Sequence, residues 1–483
     1  MVNNDQEILD ILLNDNEWQT FECKRAAVQP FKLLEVVVAF ANTDGGIIAI
    51  GLEDPKKCTK DKRIVGISEN EENVSEFFKL IDKEIDPPIP TKTNFEINVQ
   101  NNSNKPDKLV IVNIKKSNDV HSLKKGDTFV RKGNQNVKIG SSEIIRLKYE
   151  KGSVKYENEI CGISDLDCLD LSLLEDYKKN NSSSEQNNWE FLKDNGLAVR
   201  TPVGYELTKA GVLVFGKNPS VTLSSKCGVK ISHYYGTKPN FSGEPNFVSR
   251  PITIEGPLIT QIEKTISIYR EIVKHSAPKL RGASFQPSFL IPEWAFQEAI
   301  TNAVIHRNYS VQNDIQVRFF DDKIEIESPG SYPGHINVNN IRIERFARNP
   351  IIVRTLNRFS NSPNLDIGEG VDRMFKAMED KNLYEPLFFP PHIRPNSVLL
   401  FLLNLQRIEY WDVVSNYLNS HYSISNQEAR KITNIPDTIK MSRLLKTWVN
   451  QGLLEKIDTS FRGDVSYKKV GVDISSKISR PFA

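Results

Sequence analysis

The sequence has little of what builds a thiol framework: five cysteines in 483 residues, at positions 23, 58, 161, 168 and 227, with no Cys-x-x-Cys spacing and no paired histidines nearby. Zinc and disulfide scaffolds are therefore not expected, and buried structural thiols in a reducing cytoplasm are. No uninterrupted apolar run reaches membrane-spanning length, so no membrane partner is expected. Met1 to Glu7 lack the basic-then-apolar pattern of a secretory leader. An excess of one charge is missing too: the net charge is only +2, so a nucleic-acid surface would have to come from local clustering. No solenoid repeat is evident.

What is present is a globular composition, 39% hydrophobic and 26% charged, in a chain long enough for roughly three or four domains. The expected class is α/β (α+β) and multidomain, with divisions at 1–151, 152–225, 226–406 and 407–483.

The densest chemistry lies near the N-terminus. Thr20 to Arg25 reads as a short strand whose period of two puts Thr20, Glu22 and Lys24 on one face and Phe21 and Cys23 on the other. Pro30 to Thr43 reads as an apolar helix through Leu33, Leu34, Val37, Val38, Phe40 and Ala41, stopped by Asp44-Gly45-Gly46. A buried strand from Ile47 to Leu52 follows and ends near Asp54. Because a crossover helix returns the chain beside the strand it left, Asp54 is expected to approach Glu22, with Glu17 close by. Three carboxylates of this kind suit Mg2+ or Mn2+, which activate water at a phosphodiester, while Lys24 is placed to stabilise developing negative charge. The bland alternative is a solvated strand face with ordinary surface charges.

Glu17-Trp18-Gln19-Thr20-Phe21-Glu22-Cys23-Lys24, Val38 to Gly46, and Ile50-Gly51-Leu52-Glu53-Asp54 together resemble the Schlafen AlbA-type domain, over about the first third of the chain. Gly126 to Gly133, with Arg131 and Lys132, is similar to that domain's closing strand and basic turn. The resemblance implies catalytic and metal-binding roles for Glu17, Glu22 and Asp54, a nucleic-acid role for Arg131 and Lys132, and a function in antiviral defence. With all three carboxylates present the resemblance permits nuclease activity, and through the many bacterial relatives labelled only as DNA-binding regulators it also implies a function without it.

In the middle of the chain a helix beginning near Pro292 places Glu298, Asn302 and His306 at i, i+4 and i+8, a polar stripe on an apolar cylinder. Glu298 is placed to activate water and Asn302 to hold Mg2+. Glycine turns at Gly330 and Gly334 and at Gly368 and Gly370 could bring backbone N–H groups to phosphates. With His306-Arg307-Asn308-Tyr309 and Asp322 to Gly330, these features look like a GHKL-type ATPase module, which implies ATP or another nucleotide as ligand. Where that family carries an Asp-x-Gly-x-Gly box, this chain has Glu327-Ser328-Pro329-Gly330-Ser331. The competing reading is a degenerate scaffold that uses the stripe for internal hydrogen bonds, with His306 and Arg307 as interface residues.

Two smaller segments complete the reading. Asp165 to Pro219 looks like a helical unit with a wing-like hairpin, interrupted by a mobile low-complexity stretch, Lys178 to Ser184. Trp411 to Leu418, Ser425 to Thr433 and Met441 to Gln451 have helical spacing and precede a hairpin, the order of a winged helix. Arg430, Lys431, Lys440, Arg443, Lys446, Arg462, Lys468 and Lys469 make that segment locally basic, suited to phosphate contact or to a solvated face. A protein–protein role stands equally open.

Two functions follow. One is a metal-dependent endonuclease acting on RNA or single-stranded DNA, gated by the nucleotide-binding module. The other is an ATP-binding, DNA-binding transcriptional regulator without nuclease activity. A symmetric homo-oligomer is expected in either case.

Overall fold

A computed structural model of the chain describes residues 5–14, 16–58, 60–90, 92–183, 185–276, 279–281, 284–286, 289–363, 369–457, 465–472 and 478. It divides into two compact units: residues 1–148 with 337–339 and 408–483, and residues 149–336 with 340–407.

The first unit opens with α1 (Asp5–Asn14), β1 (Phe21–Lys24), α2 (Pro30–Asn42) and β2 (Gly46–Ile50). Proline in its first turn starts α2, and ten of its thirteen residues are buried. Gly45 ends the turn with φ +78, where a Cβ would meet the Ile114 carbonyl oxygen at 2.8 Å. As the sequence suggests, β1 and β2 lie parallel, with Glu22 opposite Ile48 and Lys24 opposite Ile50. Then come α3 (Glu71–Lys83), β3 (Ile85–Asp86), β4 (Lys92–Gln100) and β5 (Pro106–Ile114), and the sheet order is β1-β2-β5-β4. β6 (Ser122–Leu123), the hairpin of β7 (Thr128–Lys132) and β8 (Gln135–Ile139), and α4 (Ser141–Lys151) finish this part. The alternation of β1 and β2 is expressed as two cores: Ile48 and Ile50 pack with α2, while Phe21, Cys23, Ile47 and Ala49 pack with Ile8 and Leu12 of α1.

The second unit begins with α5 (Leu171–Asn180), α6 (Asn188–Asp194), the hairpin β9 (Ala198–Thr201) and β10 (Gly204–Leu207), α7 (Lys209–Phe215) and α8 (Pro219–Thr222). It continues through β11 (Val229–Tyr234), β12 (Phe247–Ile254), α9 (Leu258–His275), β13 (Lys279–Arg281), β14 (Ser284–Gln286), α10 (Glu293–Ile305), β15 (Ile315–Phe319), β16 (Lys323–Pro329), α11 (Pro350–Asn357), α12 (Gly370–Asp380), β17 (Leu387–Phe389) and β18 (Ser397–Leu403). Six strands form one sheet in the order β12-β11-β15-β16-β18-β17. A single hydrophobic core runs from Leu169 and Leu174 through Phe215 and Ile300 to Leu402. The helical segment before residue 226 is therefore continuous with the module that follows it, and no core boundary falls near residue 225. The expectation of mobility for Lys178 to Ser184 is corrected at its start: Lys178 lies inside α5, is 3% exposed, and donates to Asn188 Oδ1 at 2.6 Å. Ser184 lies outside the described residues.

Residues 408–483 belong to the first unit. They form α13 (Trp411–Ser420), β19 (Ile424–Ser425), α14 (Asn426–Thr433), α15 (Thr438–Asn450), β20 (Leu454–Ile457) and β21 (Ser466–Lys469), with strand order β19-β21-β20. Ser425 and Glu428 close a capping box on α14. Trp448 of α15 packs on Trp411 of α13, ring centroids 5.4 Å apart.

Candidate functional sites

The first site grows from β1. Glu22 and Lys24 share one face of the strand and form an ion pair. Lys24 Nζ also lies 3.6 Å from Glu17 Oε1, so one ammonium serves two carboxylates. Glu17 is fixed from the backbone side, where its Oε1 accepts the Cys23 N–H at 3.0 Å. Burial raises the Glu17 carboxyl above its ordinary range; Glu22 pushes it further up, Lys24 and the Cys23 N–H pull it down, and Asp54 adds a smaller upward push. Lys24 is lowered by burial but driven up overall by Glu22 and Glu17. Arg131 Nη2 lies 2.5 Å from Glu22 Oε2, yet that oxygen is buried and accepts no hydrogen bond. The contact is thus ionic and poorly aligned.

A hard divalent cation takes oxygen donors. Oxygen donors, a buried Glu22 oxygen without a hydrogen bond, and a Glu17 carboxyl made more basic by burial and neighbouring acids all fit such an ion. The expected convergence is only partly realised. Lys24 takes the place between Glu17 and Glu22, Asp54 Oδ1 accepts the Lys56 N–H at 2.8 Å in its own turn, and among the described residues no three acidic, histidine or cysteine side chains are spaced to hold a metal.

Arg131 is corrected. It is 2% exposed, and its guanidinium donates to the Trp18 carbonyl at 2.8 and 3.1 Å and to Asn136 Oδ1 at 2.9 Å. Buried and spent on these acceptors, it ties β7 to the approach of β1 and is not a surface contact for phosphate. Lys132, next along the strand, is exposed.

The second site is a cavity of about 540 Å³ in the second unit, lined by Glu298 and Asn302 of α10, His306 at the end of that helix, Gly330 after β16, Gly370 of α12, and a wall that includes Ile336, Arg342, Arg345 and Phe346. The polar stripe is real. Asn302 Nδ2 donates to Glu298 Oε1 at 2.7 Å, and burial raises the Glu298 carboxyl while that hydrogen bond and Arg373 oppose the rise. Glu298 also abuts the start of α12, for a Cβ on Gly370 would lie 1.8 Å from Glu298 Oε1. His306 caps α10, and its Nδ1 is buried without a hydrogen-bond partner. Burial, with help from Arg348, lowers its pKa to about 4, so it is neutral near pH 7.

The glycine turns behave differently from expectation. Gly330 must be glycine, because its φ is +95 and a Cβ there would meet Asn308 Cβ at 2.3 Å. Its N–H donates to the Asn396 carbonyl at 2.8 Å, and the Gly334 N–H to the Lys151 carbonyl at 3.0 Å. Neither N–H is available to a phosphate, and Gly334 does not line the cavity. Gly368 lies outside the described residues. Arg307 is no interface residue: it is 1% exposed and donates to the carbonyls of Lys226 at 2.5 Å, Val311 at 3.3 Å and Asn313. Sequence reading missed the wall with Arg342, Glu344 and Arg345, which carries no glycine motif.

The basic residues of the C-terminal segment divide. Arg443 and Lys446 on α15 and Lys431 on α14 are exposed. Arg430 is half-buried and donates to Asn426 Oδ1 at 3.1 Å and the Pro436 carbonyl at 3.2 Å. Lys468 pairs with Glu455 at 3.2 Å and reaches the Tyr422 hydroxyl at 3.4 Å, so both serve their own segment. Arg462 lies outside the described residues.

Two segments of the chain match known protein families. Residues 17–140 match the Schlafen, AlbA_2 family. The chain carries a Schlafen AlbA_2 domain. Residues 312–398 match the family described as putative ATP-dependent DNA helicase recG C-terminal, so the second unit contains an ATPase-like domain; α10, with Glu298 and Asn302, precedes the matched segment. Among solved structures, the DIP2311 protein from Corynebacterium diphtheriae aligns over 96% of this chain and 97% of its own, at 17% identity and a TM-score of 0.41. Among curated proteins no relative matches. Among the described residues no helix is long and apolar enough to cross a membrane.

Proposed function

We propose that the chain is a metal-dependent endonuclease acting on RNA or single-stranded DNA, with the ATPase-like module as its nucleotide-responsive gate and residues 407–483 as a winged helix. The observation that carries this reading is the acidic cluster at β1: Glu17, which precedes the strand and has its carboxyl raised by burial, stands with Glu22 around Lys24, and the buried Oε2 of Glu22 accepts no hydrogen bond. Two carboxylates drawn to one ammonium, Lys24, bring together the hard oxygen donors that a divalent-ion site needs.

In this reading Glu17 and Glu22, with Asp54 beside them, are the residues that hold Mg2+ or Mn2+. The bound ion supplies Lewis-acid polarisation of a phosphodiester. Arg131 holds Glu22 in place from behind, and Lys24 offers positive charge to the substrate phosphate. In the second unit Glu298 and Asn302 are the candidate water-activating and Mg2+-holding pair for ATP or another nucleotide, and Gly370 borders their site. A gate of this kind keeps a nuclease from attacking its host until a signal arrives, which suits antiviral defence in the cytoplasm. A symmetric homo-oligomer is the assembly this reading expects.

The deciding experiment incubates the purified chain with labelled tRNA, single-stranded DNA and duplex DNA in Mn2+ or Mg2+. Metal-dependent cuts abolished in Glu22→Ala and Asp54→Ala support the enzyme. Tight duplex binding without any cut supports the second reading, a nucleotide-binding transcriptional regulator, which the exposed Arg443 and Lys446 on α15 favour.

A further inference from the structure

Trp18 stands immediately after Glu17 and is 54% exposed, an unusual place for an indole unless a partner covers it. Its main chain is held from several sides. The Trp18 N–H donates to the Phe21 carbonyl at 3.0 Å, and the Trp18 carbonyl accepts two N–H groups of the buried Arg131. The next side chain, Gln19, donates to Asp44 Oδ2 at 2.8 Å and to the Arg131 carbonyl at 3.2 Å, and its Oε1 accepts the Gly133 N–H at 2.8 Å. These bonds clamp the β7–β8 turn to the residue beside the indole.

That turn also lies near the ring itself. A Cβ placed on Gly133 would sit 3.4 to 3.8 Å from three atoms of the six-membered ring of Trp18, and Gly133 has φ +62. The glycine therefore lies beside that ring with about the space of a methyl group between them, and the exposed Lys132 ends β7 immediately before it. A half-exposed aromatic ring on a fixed main chain, flanked by the glycine turn with its exposed lysine and adjoining Glu17, has the parts of a base-stacking platform: the ring takes a nucleobase and the cation takes its phosphate.

We propose that Trp18, supported by Gly133 and Lys132, is the platform that stacks a base of a single-stranded nucleic acid next to the Glu17–Glu22 site. This deepens the nuclease reading and rests on it for the nature of the substrate. Stacking also implies selectivity, because a paired base inside a duplex offers no free face.

The test measures equilibrium binding of the full chain in EDTA, so that cleavage plays no part. The probes are a labelled twelve-nucleotide oligo-dT, the same backbone with abasic sites, and a duplex of equal length. Trp18→Ala is expected to weaken oligo-dT binding about tenfold, Trp18→Phe to retain most of it, and the abasic backbone to bind both variants and the parent chain equally. Equal oligo-dT affinity in the parent chain and Trp18→Ala would overturn the proposal, as would an equal loss on the abasic backbone or no oligo-dT binding by the parent chain. The nuclease reading fails separately: a base-dependent loss in Trp18→Ala with no metal-dependent cutting by the parent chain keeps the platform and discards the enzyme.

Discussion

One nitrogen of Arg131 is shared between Glu22 Oε2, at 2.5 Å, and the Trp18 carbonyl oxygen, at 2.8 Å. The guanidinium thereby joins the acid on β1 to the chain that leads into β1, and it does so with a side chain fully withdrawn from solvent. Removing one partner of a buried ion pair strands the other. Arg131→Ala is expected to destabilise the chain by about 3–5 kcal/mol, read as a lower urea midpoint; a change under about 1 kcal/mol would show that Glu22 is solvated well enough without it.

Glu17 makes a prediction with a pH sign. Its folded-state pKa is raised above the ordinary value, so the folded chain holds that proton more tightly than the unfolded chain. The stability this contributes is full below the ordinary carboxylate range and is lost as pH rises through the folded value. Glu17→Gln should therefore melt higher than the parent chain at pH 7.5, with the gap closing as pH falls. A gap that is absent at pH 7.5, or that widens on acidification, contradicts the raised value.

Gly370 leaves room for a carboxylate. Gly370→Ala would put a methyl group where Glu298 Oε1 sits, forcing the acid or α12 to shift at a cost of about 1–3 kcal/mol. Nucleotide binding in the cavity, followed by calorimetry with an unhydrolysable ATP analogue, should weaken in step. Unchanged stability together with unchanged binding would place Glu298 elsewhere in solution.

His306 predicts the opposite acid response to Glu17. Its pKa is lowered from 6.5 to about 4, so its contribution to stability is present above pH 6.5 and is lost as pH falls towards 4. Replacing it with Gln should flatten the thermal midpoint against pH across that interval while leaving the profile above pH 7 unchanged in shape.

On α15 the exposed Arg443 and Lys446 give a salt signature. If they meet phosphates, each alanine substitution should reduce the slope of log affinity for duplex DNA against log salt by about one. No change in slope assigns that face to solvent or to a protein partner.

Much of this was legible in the residues because local rules decided it. Alternation along Phe21–Lys24 put the acid and the lysine on one face, and a proline start and glycine stop bounded α2 between two parallel strands. The i, i+4 spacing of Glu298 and Asn302 became a hydrogen bond. What failed was decided by distant partners. Arg131 looks like a basic turn residue until the carbonyl of Trp18, far away in sequence, comes to its guanidinium. Gly330 and Gly334 look like phosphate cradles until Asn396 and Lys151 claim their N–H groups. Lys178 opens a polar run yet is buried against Asn188. In each case the residue type announced capacity for a bond, and the tertiary fold chose the partner.

Ile478 is wholly enclosed in the same apolar cluster as Phe21 and Cys23. The strand bearing Glu22 thus has a neighbour that the ribosome delivers some hundreds of residues later. The core behind the acidic strand is therefore complete only when residue 478 is in place.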